Sequence, residues 1–148
     1  MEIGPLFRSH VERCLQDAFE LCSVVTDADG DYPFEHDGAV YYVRVIEAAD
    51  TWWVRVWAPA VFGVKRSARL LTELNDIMAT YPLVRALWRE GCVYIEANMH
   101  ASAVNAETLG RACRAVGDVT ASMGETISVV YGGHRVTAPP SSCDEEVT

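Results

Sequence analysis

The chain has 148 residues, with 12 basic and 21 acidic side chains, a net charge of −9 at pH 7 and a pI near 4.8. Half of its residues are hydrophobic and 22% are charged, a balance typical of a globular domain and not of a disordered chain. A chain of this length usually forms one domain with a sizeable core. The acidity argues against a general nucleic-acid binder, which needs a basic face.

The acidic charge is unevenly distributed along the chain. Residues 1–38 carry nine acids and two arginines, whereas residues 39–100 carry six acids and seven bases. Residues 101–148 carry six acids and three arginines. The acidic total therefore does not exclude a local basic surface in the middle of the chain.

The N-terminus, the apolar runs, the cysteines and the histidines indicate the cellular compartment and the cofactors. The N-terminal residues Met1–Pro5 lack the basic and apolar regions of a secretory signal, and no apolar run has the length of a membrane span. The five cysteines are odd in number and lack a C-x-x-C pair, which favours free thiols in a reducing cytoplasm. The four histidines lack zinc-site spacing. We expect a cytoplasmic protein with no membrane partner, no metal and no cofactor.

Apolar spacing predicts a helix at the start of the chain, over Pro5–Cys22. Its apolar stripe consists of Phe7, Val11, Cys14, Leu15, Ala18 and Cys22. The acidic run Asp27–Asp31 breaks this pattern, and residues 23–26 form a possible short first strand before it. A calcium loop is not expected in the acidic run, because its glycine stands at position four instead of six and position twelve is Gly38 instead of glutamate.

Two β-hairpins are predicted from valine-rich and aromatic segments. Residues 39–46 and 51–58 flank a short polar turn around Asp50 and form the first hairpin. Residues 83–89 and 92–99 form the second one, about a Glu-Gly turn. Each hairpin is followed by a segment with helical spacing.

The second and third helices have recognisable ends. Ser67 and Asn105 are the predicted N-caps. Pro82 ends the second helix, and the third helix extends to the glycine pair 132–133, a favourable C-terminal stop. The β-branched run 127–130 also fits a short strand, so both interpretations stay open there.

The predicted element order is α-β-ββ-α-ββ-α, an α+β fold. Hairpins that alternate with helices indicate an antiparallel sheet of two hairpins, plus the possible short first strand, with three helices packed on one face. We expect a single domain over residues 1–133. Residues 134–148, with their two prolines and the acids Asp144–Glu146, are predicted to be a disordered acidic tail.

Alternation along the strands places tryptophan and arginine on one sheet face. In residues 51–58, the even-numbered apolar side chains point to the helices and the odd-numbered ones point away. The same alternation places Tyr94, Glu96 and Asn98 on a different face from the arginines of the second hairpin. The predicted partner-binding residues are Tyr42, Arg44, Trp53, Arg55, Trp57, Arg85 and Arg89.

This tryptophan and arginine face has three open interpretations. It is an ordinary solvated sheet face, a homodimer interface, or a partner-binding surface, since tryptophan, tyrosine and arginine are enriched at binding hot spots. Catalysis is not expected, because the sequence has no G-x-S-x-G motif, no phosphate-binding loop and no dinucleotide fingerprint.

Several short motifs occur in a distinctive order. They are Asp27–Asp31, Tyr42–Val45, Val54–Val56, Leu71–Ile77, Val93–Glu96 and Tyr131–Gly133. In this order, over about residues 5–133, the chain resembles the YbjN-like family, which belongs with the class I type III secretion chaperones. The resemblance implies an antiparallel sheet with helices against it, often dimeric. It also implies peptide or protein binding and supplies no catalytic residues.

The sequence therefore predicts a non-catalytic, chaperone-like domain that binds a client peptide or protein and forms a homodimer. An extended client segment would lie on the tryptophan and arginine face or add to a sheet edge. A segment rich in Asp or Glu would fit the arginines. The alternative is a cytoplasmic regulatory or sensory domain that binds a small effector in a closed pocket. An enzyme would instead need a cleft with clustered polar groups.

Overall fold

Three helices and six strands alternate along residues 3–136, which are the residues that the computed structural model describes. The helices are α1 (Ile3–Phe19), α2 (Ala68–Thr80) and α3 (Ala106–Tyr131). The strands are β1 (Tyr32–His36), β2 (Ala39–Ala48), β3 (Thr51–Phe62), β4 (Arg85–Arg89), β5 (Cys92–His100) and β6 (His134–Arg135). The predicted α+β order is confirmed, with β6 added after the last helix.

The strands form one antiparallel sheet in the order β1-β2-β3-β5-β4. The two predicted hairpins, β2–β3 and β4–β5, are joined through a long ladder between β3 and β5. The short strand β6 pairs with the last two residues of β3. The long β3 therefore lies at the centre of the sheet and carries the middle of the tryptophan and arginine face.

Each hairpin closes on a two-residue turn in which both residues have positive φ. These turns are Asp37–Gly38, Ala49–Asp50 and Glu90–Gly91. Positive φ at both positions defines the type I′ turn, whose twist matches that of the flanking strands. Asp-Gly is among the strongest sequence signals for such a turn, and it marks a hairpin that we did not predict.

The predicted short strand at residues 23–26 is wrong, because the first strand follows the acidic run instead of preceding it. Val25 is exposed and residues 23–26 form no strand. In β1, Tyr32 is fully buried. Phe34 stacks on Tyr41 of β2 with the ring centroids 5.5 Å apart. The Asp37–Gly38 turn fixes this pairing, so β1 and β2 form a hairpin.

The predicted helix caps are confirmed. The Leu70 N–H donates to Ser67 Oγ at 3.1 Å, and the Thr108 N–H donates to Asn105 Oδ1 at 2.9 Å. Residues 127–130 continue α3 and do not form a strand. Within residues 3–136, no helix has the length and apolarity that crossing a membrane requires.

The hydrophobic core lies between one face of the sheet and the helices. Helix α3 packs across β1, β2, β3 and β5, while α1 packs on α3 and α2 packs on β4. Fully buried members of this core include Val43, Val54, Val56, Val93, Ile95, Leu109, Val116 and Ile127. Because this face is closed by helices, the side chains of the opposite sheet face are left for other contacts.

The start of the predicted tail lies in the sheet. His134 and Arg135 pair with Phe62 and Val61, and the Val136 N–H donates to the Ala60 carbonyl oxygen at 3.4 Å. Residues 137–148 lie outside the described residues. The disordered acidic tail therefore stays a prediction.

Alkaline pH is expected to destabilise the fold through Cys113. This residue is fully buried on α3, and burial raises the pKa of its thiol from an ordinary value of 9.0 to about 12. The folded protein then holds this proton more tightly than the unfolded chain. The resulting stability is complete below pH 9 and is lost as the pH rises towards 12.

Urea unfolding at pH 8 and pH 10 measures this effect. Cys113 should account for a loss of about 1.4 kcal/mol between these two pH values. Between pH 8 and pH 10, the free energy of unfolding of Cys113→Ala should fall by about 1.4 kcal/mol less than that of the wild type. This difference does not depend on the absolute stability of the variant. An identical pH dependence in both proteins would contradict the prediction.

Candidate functional site

The sheet face that points away from the helices, here called the open face, carries the predicted binding residues. Directly opposed residues of antiparallel strands share a face. Arg44 lies opposite Arg55, and Trp57 lies between Tyr42 on one side and Glu96 on the other. The open face includes Tyr42, Arg44, Trp53, Arg55, Trp57, Arg85, Arg89, Tyr94, Glu96 and Asn98.

The prediction that Tyr94, Glu96 and Asn98 lie on a different face from the arginines is wrong. The two-residue turn of the second hairpin sets Arg89 opposite Cys92. Odd-numbered residues of β4 therefore oppose even-numbered residues of β5, so Arg85 faces Glu96. A carboxylate consequently lies among the arginines of the open face.

The acidic run before β1 positions a partner for Arg44. Asp27 Oδ1 accepts hydrogen bonds from the backbone N–H groups of Asp29 and Asp31, each at 2.9 Å. Asp31 then accepts two hydrogen bonds from Arg44, from Nε at 2.8 Å and from Nη2 at 2.7 Å. This bidentate geometry is the strong form of an arginine–carboxylate pair, and it raises the pKa of Arg44. The run therefore orients an arginine.

Glu96 pairs with the arginines at the other end of the open face. Its side chain is only 7% exposed and accepts a hydrogen bond from Arg85. Arg55 Nε lies 3.9 Å from Glu96 Oε2 and donates to Asn98 Oδ1 at 2.8 Å. The single carboxylate is thus bound closely to Arg85 and only loosely to Arg55.

Aromatic rings hold the guanidinium groups of the open face in place. The Tyr42 and Trp57 rings stack with centroids 4.7 Å apart. The guanidinium carbon of Arg44 lies 5.2 Å from the Trp57 ring centroid, and that of Arg89 lies 5.0 Å from the Tyr94 centroid. These distances are typical of cation–π contacts. Ring and arginine orientations are therefore set before any partner binds.

A small polar pocket of about 130 Å³ lies at the centre of the open face. Its lining residues are Arg44, Arg55, Trp57, Arg89, Tyr94 and Glu96. The Trp57 indole N–H is buried and has no hydrogen-bond partner among the described residues. Arg89 forms no salt bridge within residues 3–136. The pocket thus contains unused hydrogen-bond donors and an excess of positive charge.

Four of the seven predicted residues line this pocket, namely Arg44, Arg55, Trp57 and Arg89. Tyr42 lies beside it, stacked on Trp57. Arg85 is held by Glu96. Trp53 is outside the pocket, near the β2–β3 turn, where its indole N–H donates to the Ala48 carbonyl oxygen at 3.2 Å.

The structure also brings together His36, Asp37 and Asp118, which sequence spacing did not connect. Their ligand atoms lie within 4.8 Å of one another, and His36 is hydrogen-bonded to Asp118. Gly117 permits this approach, because a Cβ there would lie 2.9 Å from the His36 side chain. The carboxylates are exposed and one is already hydrogen-bonded to the ring, so we interpret the cluster as a structural contact that joins β1 to α3.

Solved structures share this fold at low sequence identity. A chain of the HopA1–SchA chaperone–effector complex has a TM-score of 0.64 at 11% identity, with 84% of this chain and 98% of that chain covered. A chain of the ExsC–ExsE complex has a TM-score of 0.60 at 14% identity, with coverage of 88% and 97%. YbjN from E. coli has a TM-score of 0.50 at 14% identity, with coverage of 77% and 89%.

No curated protein sequence matches the chain. A family model does match it, over residues 6–139. This range includes every helix and strand after the first residues of α1 and contains all the motifs that carry the sequence resemblance. The resemblance is therefore confirmed. The chain belongs to the family described as T3SS (YopN, CesT) and YbjN peptide-binding chaperone 1, TY-Chap1.

Proposed function

We propose that this chain is a non-catalytic, chaperone-like domain that binds an extended client segment on its open face. The observation that carries the proposal is the preformed pocket around Trp57. Arg44 and Arg85 are engaged by carboxylates of the chain itself, whereas Arg55 and Arg89 have guanidinium donors to spare. The family to which the chain belongs is described as peptide-binding.

The chemistry of the pocket favours an acidic client segment. The planar guanidinium fork of arginine matches a carboxylate, so Arg55 and Arg89 would each bind an Asp or Glu side chain. Trp57 and Tyr94 would supply apolar area to the neighbouring client residues. Because these groups are already held in position, a client would bind with little further loss of side-chain entropy.

The open face is a better binding surface than the β1 edge of the sheet. Strand β1 lies at one edge and pairs only with β2. It contains Pro33, which has no N–H to donate, and Glu35, whose charge disfavours a docked strand. Proline and charge on an edge strand hinder strand addition. We therefore place the client across the face.

A small-effector function has less support. It would need an enclosed cavity between sheet and helices, and that space is filled by the buried side chains Val54, Val56, Val116 and Ile127. A groove of about 620 Å³ lies between α2 and α3, on the outside of the domain. Its lining is mixed, and its residues Glu73 and Tyr131 are hydrogen-bonded to each other.

The double variant Arg55→Glu with Trp57→Ala tests the proposal. Clients captured from the native host and then purified should bind the wild-type chain. They should lose at least about 100-fold in affinity for the variant, because it removes two hot-spot side chains and reverses one charge. Arg55→Glu alone should lose a large part of this affinity without disturbing the stacking of Trp57.

The matched control is Arg13→Glu, which makes the same charge change on an exposed part of α1. It should leave client binding unchanged, and thermal unfolding should show that all the variants fold. Equal client binding by the wild type and the folded double variant would refute the choice of face. Homodimerisation stays a prediction, which the molar mass from light scattering measures.

A further inference from the structure

We propose that the chain's own acidic segment, Asp144–Glu146, occupies the pocket on the open face when no client is bound. The inference rests on the proposed function, because it gives the pocket an occupant of the same chemistry as the client. Three observations carry it: the place where the described chain ends beside β3, the length of chain that follows, and the charge of the pocket.

The described chain ends beside β3, the strand that carries Arg55 and Trp57 of the pocket. Strand β6 is antiparallel to β3, with His134 opposite Phe62 and Arg135 opposite Val61. The hydrogen bond from the Val136 N–H to the Ala60 carbonyl oxygen continues this pairing. Val136 therefore lies beside Ala60, three positions from the pocket residue Trp57, whose own neighbour on this side of β3 is Tyr42 of β2.

The sequence after Val136 is long enough to reach the arginines. The five positions from Ala60 to Arg55 span about 17 Å along the strand, and neighbouring strands lie about 4.8 Å apart. Asp144 follows Val136 by eight positions, and eight extended residues span up to roughly 26 Å. The acidic segment can therefore reach Arg55 on β3 and Arg89 on β4 without loss of the β6 pairing.

The charges are complementary at one end of the open face only. Residues 137–148 contain three consecutive carboxylates and no basic residue. At the Arg44 end of the pocket, Asp31 and its neighbours Asp27 and Asp29 already surround the guanidinium. Arg55 lies directly opposite Arg44 but turns towards β5, where it donates to Asn98, and on that side Arg55 and Arg89 face a single carboxylate that is bound to Arg85. The acidic segment is therefore directed to the Arg55–Arg89 end.

A tethered segment needs little intrinsic affinity to compete with a client. A short flexible linker gives an effective concentration of millimolar order. A segment with a dissociation constant of about 0.1–0.5 mM would then weaken client binding roughly three- to tenfold. The acidic segment would thus act as an internal competitor that a stronger client displaces.

The test uses the full chain with its segment neutralised by Asp144→Asn, Glu145→Gln and Glu146→Gln. The matched control, Ser141→Ala with Ser142→Ala, keeps the length and the charge. The first readout is the ¹⁵N–¹H resonance of the Trp57 indole, assigned with Trp57→Phe. We expect this resonance to shift on neutralisation and to stay in place in the control, with the same result after tenfold dilution.

The second readout is the affinity of a synthetic peptide that copies residues 137–148 with Cys143→Ser. It should bind the neutralised chain three- to tenfold more tightly than the wild type. An unmoved resonance with equal peptide affinities would overturn the inference and leave the proposed function standing. If the peptide binds neither chain and the resonance does not move, the result would count against both the inference and the proposed function. A shift that disappears on dilution would mean docking on a second copy and would also overturn the inference.

Discussion

Replacing Arg44 with alanine is expected to cost about 3 kcal/mol of folding free energy, which is more than replacing its partner Asp31 would cost. The two residues form one bidentate pair. Their surroundings differ, because the Asp31 side chain is 3% exposed and the Arg44 side chain is 41% exposed. The two substitutions therefore leave different side chains without a partner.

Arg44→Ala leaves the buried Asp31 carboxylate without its partner. An unpaired buried charge makes this substitution strongly destabilising. Asp31→Ala leaves the Arg44 guanidinium, which still contacts water and the Trp57 ring. The expected loss in free energy of unfolding is therefore only about 1–2 kcal/mol. It follows that the double variant should be more stable than Arg44→Ala alone. Removal of Asp31 then relieves the penalty that the first substitution created.

Urea unfolding of the wild type, both single variants and the double variant measures this asymmetry. Arg85→Ala is the matched control on the same face. Its buried partner, Glu96, keeps Arg55 at 3.9 Å, so the loss should be smaller than for Arg44→Ala. Equal losses for Arg44→Ala and Asp31→Ala would show that the buried carboxylate is not the source of the cost.

Most of the fold could be predicted from local patterns. Capping residues and apolar periodicity located α2 and α3 because these signals depend only on neighbours in sequence. Strand β1 was missed for a physical reason: Pro33 interrupts its alternation, and the apolar pair before the acidic run, Val24 and Val25, is a stronger local strand signal. The dipeptide Asp37–Gly38 was the available clue to the correct position.

The site was only partly predictable because ion pairing depends on register. Alternation correctly placed Tyr42, Arg44, Arg55 and Trp57 on one face. The state of each arginine depends on which carboxylate lies opposite. The position of Glu96 follows from a two-residue turn, and that of Asp31 follows from hydrogen bonds within the acidic run. The alternation of side chains gives neither of these two carboxylate positions. The sequence could therefore not distinguish the arginines that are paired with a carboxylate from those that are not.

The second large effect is expected at Gly133, where alanine should cost about 3 kcal/mol or more through backbone strain and a steric clash together. Gly133 has a φ of +89°, a region that L-residues rarely adopt. A Cβ there would lie 2.6 Å from the Phe62 carbonyl oxygen and 2.8 Å from Val64 Cγ2. Backbone and a fully packed core valine cannot move aside easily, so β6 is expected to separate from β3.

Gly91→Ala is the matched control, because Gly91 has a similar φ of +82° and nothing within 4 Å of an added Cβ. This control measures only the cost of a positive φ for an L-residue, which is about 1–2 kcal/mol. Hydrogen exchange of the Val136 N–H should accelerate in Gly133→Ala and stay slow in Gly91→Ala, while urea unfolding gives the two losses.

The consequence of Gly133→Ala reaches the open face. If β6 leaves β3, the chain that tethers residues 137–148 to the sheet becomes longer, and their effective concentration at the pocket falls. The synthetic peptide should then bind Gly133→Ala more tightly than the wild type, as it should bind the chain with a neutralised segment. Equal unfolding losses for the two glycine variants would mean that the close approach at Gly133 does not hold β6 in place.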